Sequence, residues 1–148
     1  MKKFLSASLP LCGILLLLTV SAFAQIPAPK DVLGFTPGDD RKLASWAQIV
    51  DYFKKLDAAS DKVKFEEIGK TTMGAPFVYA TISSPENLKN LEKYKQINAQ
   101  LADPRTINLN DDEADKIIAD TVPVYYMTGT IHSPETGSPT ALMELAYR

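Results

Sequence analysis

The one histidine of this 148-residue chain, His132, stands three residues before Glu135 in the segment Gly129-Thr-Ile-His-Ser-Pro-Glu-Thr-Gly137. An imidazole nitrogen and a carboxylate oxygen are both good ligands for a borderline cation such as zinc, and at a spacing of i, i+3 in a tight turn they converge on one point. A catalytic zinc takes three protein ligands beside its water, and here the sequence offers two. There is no second histidine, and the only cysteine, Cys12, falls in the first dozen residues. Either a third ligand lies beyond Arg148, or the pair is incidental, a surface histidine hydrogen-bonded to a nearby carboxylate.

The elements around the pair favour a site. Val122-Pro-Val-Tyr-Tyr-Met-Thr-Gly-Thr-Ile131 is apolar on both faces rather than alternating, which predicts a strand buried in a sheet covered by helices. It ends at His132, and in open α/β sheets ligands gather beyond the carboxyl ends of central strands. Gly129 and Gly137 allow close backbone approach on either side of the pair. Ser138-Pro139 then predicts a helix start, with serine as the cap and proline at the first helical position. That helix reads on to Arg148 without a closing glycine, asparagine or proline, so the chain is expected to be the N-terminal part of a longer protein.

Upstream, residues 25–41 are rich in proline and glycine and predict an irregular arm leading into Asp39 or Asp40 as a helix cap. Leu43, Trp46, Val50, Phe53 and Leu56 recur at spacings of three and four, the apolar face of a helix ending near Ala59, with Trp46 in the core. Val63–Ile68 and Phe77–Ile82 have strand composition and flank a turn-rich loop, Gly69-Lys-Thr-Thr-Met-Gly-Ala-Pro76, so a hairpin is predicted. Ser84-Pro85 opens a second helix that aligns Leu88, Leu91, Tyr94, Ile97 and Leu101, and Asn110 with Glu113 predicts a capping box for a third, short helix.

Residues 1–24 concern destination. Lys2 and Lys3 precede an apolar stretch from about Leu9 to Val20, and Ala22-Phe23-Ala24 places small residues where a signal peptidase reads, so cleavage before Gln25 is expected. The stretch is short for a membrane span, which needs about 20 residues. Cleavage removes Cys12, and with it any thiol or disulfide chemistry. It leaves 14 basic against 18 acidic residues, a formal charge of −4, and no basic patch that would suggest nucleic acid or an anionic membrane as partner. The exported protein is expected in the periplasm or the medium.

The stretch Tyr126-Met-Thr-Gly-Thr-Ile-His-Ser-Pro-Glu-Thr-Gly-Ser138, with Ala141-Leu-Met-Glu-Leu145 behind it, resembles the first zinc-binding motif of the zinc carboxypeptidases. Ile68-Gly-Lys-Thr-Thr-Met-Gly-Ala-Pro76 is similar to that family's glycine-bounded turn, and the likeness runs from about Phe35 to Arg148. It implies a mixed α/β sheet with helices on both faces, present as an incomplete N-terminal part over residues 42–148. It also implies Zn2+ as cofactor, His132 and Glu135 as metal ligands and peptide-bond hydrolysis on a peptide or protein substrate. The family's second histidine ligand, its substrate-clamping arginines and its glutamate general base would follow Arg148, so no catalytic residue is assigned within the chain and the fragment alone is expected to be inactive. The family commonly has arginine directly after the second glycine of the turn, whereas this chain has Ala75, which speaks against ordinary recognition of a peptide tail. The competing expectation is a small exported binding or inhibitory module.

Overall fold

The computed structural model describes residues 25–103, 105 and 110–148; the expected export signal, with Cys12, lies outside them. Among these residues the elements follow in the order α1 (Pro29–Leu33), α2 (Trp46–Ala59), β1 (Val63–Lys70), β2 (Pro76–Ile82), α3 (Pro85–Lys89), α4 (Leu91–Ala102), α5 (Asp111–Asp120) and α6 (Gly137–Tyr147). The chain is a mixed α/β structure. Among the described residues its sheet is the antiparallel pair β1–β2, with Val63 opposite Ile82 and Glu66 opposite Tyr79.

The hairpin closes as its composition predicts. Thr71 N–H bonds to the Ala75 carbonyl at 2.8 Å and Gly74 N–H to the Thr71 carbonyl at 2.9 Å. Gly74 sits at φ 77°, the left-handed conformation that a three-residue hairpin loop requires after its first turn. A bulge between Glu67 and Gly69 interrupts the register.

The cap of α2 is Ser45, not Asp39 or Asp40. Its hydroxyl accepts from Gln48 N–H, and the Gln48 side chain accepts from Ser45 N–H, a complete capping box. Leu43 therefore precedes the helix and is exposed. The buried face of α2 is Ile49, Val50, Tyr52 and Leu56, turned from the predicted face centred on Trp46 and Phe53. Phe53 is half-buried and stacks on Phe65 of β1, ring centroids 6.3 Å apart. The expected irregular arm contains α1, whose Pro29 and Leu33 are buried and whose end is capped by Gly34 in the left-handed conformation.

Leu33, Ile49, Tyr52, Leu56, Val63 and Met143 form the core, so α1, α2, the start of β1 and α6 meet at one place. Burial of Met143 and Thr140 ties α6 to α2. Asn110 and Glu113 form the predicted capping box of α5. The helix opened by Ser84-Pro85 breaks at Asn90, which ends α3 and caps α4.

The segment predicted as a buried central strand is neither paired nor buried. Residues 122–128 form no strand, and Val124, Tyr125 and Tyr126 are 73, 84 and 78% exposed. Its apolar character is that of a sheet interior, but β1 and β2 pair only with each other, and no described strand lies beside it. Ser138 is likewise not the cap of α6. The helix begins at Gly137, its N-cap Thr136 makes no side-chain bond, and Pro139 takes the third helical position.

Candidate metal centre

His132 and Glu135 do meet. The turn that joins residues 122–131 to α6 is closed by Glu135 N–H donating to the His132 carbonyl at 3.0 Å, which brings both side chains to one side. Nδ1 of His132 then lies 2.7 Å from Oε1 of Glu135. The other carboxylate oxygen, Oε2, accepts from His132 N–H at 3.2 Å and Ile131 N–H at 3.4 Å. The Thr130 hydroxyl, 2.7 Å from the His132 carbonyl oxygen and 3.2 Å from Oε2, has one proton to place between them.

These donors hold the Glu135 carboxyl below the usual carboxylate range, first through the imidazole and then through the His132 and Ile131 amides. An ionised carboxylate only accepts, so the His132 proton in this bond is on Nδ1. The side chains are 72 and 50% exposed, which leaves the pair open to solvent and to a third group. The turn is positioned from its C-terminal side: α6 begins at Gly137 and is fixed by buried Thr140 and Met143.

The glycines flanking the pair do not serve close approach. A Cβ on Gly129 would touch Leu142 and Pro139 at 3.6 Å, an ordinary contact, and one on Gly137 would meet nothing within 4 Å. Thr130 is the supporting residue that spacing did not reveal; threonine two residues before a histidine is too common a pattern to signal a role.

Among the described residues no group of three or more His, Cys, Asp or Glu side chains gathers as a metal cage, so the convergence is of two ligands. No described helix is long and apolar enough to cross a membrane. No protein-family model, no curated protein and no solved structure matches the chain.

Proposed function

We propose that this chain carries two zinc ligands, His132 and Glu135, of an exported metallopeptidase of carboxypeptidase type that hydrolyses peptide bonds. One observation carries the reading: imidazole Nδ1 and carboxylate Oε1 converge at 2.7 Å on an exposed turn. The donor set is chemically right for zinc, with one nitrogen and one anionic oxygen. When bound, zinc polarises a carbonyl and lowers the pKa of a coordinated water toward neutrality. The residues of this chain supply orientation: the Ile131 and His132 amides hold Glu135 from behind, the supporting contacts that metal ligands require. A third ligand and a general base come from residues other than those described.

The test is zinc content and peptide hydrolysis of the whole gene product beside its His132→Ala variant. Loss of both zinc and activity with an unchanged circular dichroism spectrum is expected. Unchanged zinc content in the variant removes the assignment.

A binding or inhibitory module is the second reading, favoured by the fact that His132 and Glu135 already satisfy each other. It predicts that the wild-type product carries no zinc at all.

A further inference from the structure

We propose that the trough between α2 and the hairpin turn binds an extended acidic peptide segment, seating an apolar side chain against Trp46 and a carboxylate on Lys54. The trough has a volume of about 430 Å³ and is lined by Trp46, Val50, Asp51 and Lys54 of α2 and by Ala75 and Pro76 of the hairpin. That volume falls within the range of small-ligand sites, about 300–1,000 Å³.

Trp46, Val50 and Lys54 are spaced by four residues and so follow one stripe of the helix. Trp46 is 40% exposed, unusual for the only tryptophan of the chain, yet it is not loose. Its indole N–H donates to the Pro76 carbonyl at 3.1 Å, across 30 residues of sequence, which holds the ring as a fixed wall. An aromatic face held in place before a ligand arrives loses little freedom on binding.

Charge selects the occupant. Asp51 is paired with Lys55 at 2.7 Å, whereas Lys54 has no ion-pair or hydrogen-bond partner among the described residues. The trough thus presents an apolar wall ending in one uncompensated positive charge, on a chain whose formal charge is −2. A carboxylate beside an aliphatic or aromatic side chain answers both features, and an acidic peptide offers them at adjacent positions. An anionic bilayer is the poorer fit, because α2 carries two lysines, Lys54 and Lys55, of which the second is paired with Asp51, whereas an anionic surface is held by a cluster of several basic residues. Neither His132 nor Glu135 enters this inference, so it stands or falls apart from the peptidase reading.

The fluorescence of Trp46 reports on the trough directly. The protein is titrated with acetyl-Ala-Leu-Glu-Leu-Glu-amide, with the same peptide carrying Gln for Glu, and with phosphatidylglycerol vesicles. A saturable blue shift with the acidic peptide is expected, weakened about fivefold in Lys54→Gln, the size of one partly exposed charge pair, and reduced by salt. Lys54 is exposed, so its replacement leaves the fold intact. No saturable response at millimolar peptide, equal responses to the Glu and Gln peptides, an unaltered response in Lys54→Gln, or a shift with vesicles alone would each overturn the proposal.

Discussion

Tyr79 of β2 donates its hydroxyl to Oε2 of Glu66 at 2.6 Å, directly across the hairpin, while the other oxygen of that carboxylate pairs with Lys64 at 3.1 Å. This half-buried cross-strand pair holds the hairpin in a register that α2 also supports through β1. The phenol, foremost, and Lys64 hold the Glu66 carboxyl below its ordinary value. A carboxyl depressed in the fold stabilises it above the unfolded pKa and loses that contribution as pH falls through the folded value. The hairpin therefore weakens at acid pH, below the ordinary glutamate value of 4.5. Tyr79→Phe should cost about 1 kcal/mol at neutral pH, and much of the difference should vanish in acid. Urea melts of both proteins across the acid range check this; parallel curves would show that the bond is energetically idle.

Tyr52 is fully buried in the core, and its hydroxyl has no hydrogen-bond partner among the described residues. Burial, and then the charge of Glu144, push its pKa from 10.0 up to about 12. Since the folded value is the higher one, stability is whole below pH 10 and declines as pH rises toward 12, where the unfolded chain ionises first. Tyr52→Phe should flatten that alkaline decline, and at neutral pH it should leave stability equal or raise it by up to about 1 kcal/mol, because an unsatisfied buried hydroxyl is removed. Thermal melts between pH 8 and about 11 test both halves of this expectation.

Ser45→Ala should destabilise α2 by about 1 kcal/mol, the usual cost of losing an N-cap, whereas Asp40→Ala should change stability by no more than about 0.5 kcal/mol. Urea denaturation of the two variants separates them, and a larger effect at Asp40 would return the cap to the position its composition suggested.

Zinc should bind this chain weakly and without net release of a proton from a neutral imidazole, because coordination at Nδ1 moves the hydrogen that now bridges to Glu135 onto Nε2. Calorimetry in buffers of different ionisation enthalpy measures the proton count. Tight one-to-one binding by the chain alone would contradict the two-ligand account, and binding that survives His132→Ala would place the metal elsewhere.

Tyr126→Lys should lower self-association without altering the melting temperature by more than about 2 °C, because Tyr126 is exposed within an extended apolar run that a partner strand can pair with. Sedimentation at rising concentration compares the two proteins.

Local signals read well in this chain because they depend on neighbours a few residues away. The hairpin follows from a glycine at the one left-handed position of its loop, and the α5 cap from Asn110 and Glu113 at the spacing a capping box needs. The meeting of His132 with Glu135 is local too, one turn closed by one backbone bond. Composition is silent where packing decides. An aspartate and a serine are both good caps, and Ser45 prevails because Gln48 stands three residues on to complete the box. The helical period identifies a stripe but not its centre, so the core received Ile49 and Tyr52 while Trp46 turned outward to the Pro76 carbonyl. Residues 122–131 have the composition of a sheet interior, yet a strand is buried only where another lies beside it, and composition does not report the neighbour.

Because one oxygen of Glu135 is already tethered to its own loop by two main-chain amides, the carboxylate enters any new partnership with its rotor locked and with a single lone-pair face on offer. Shortening it to aspartate would sever either the tether or the reach toward the imidazole, since one methylene fewer cannot span both.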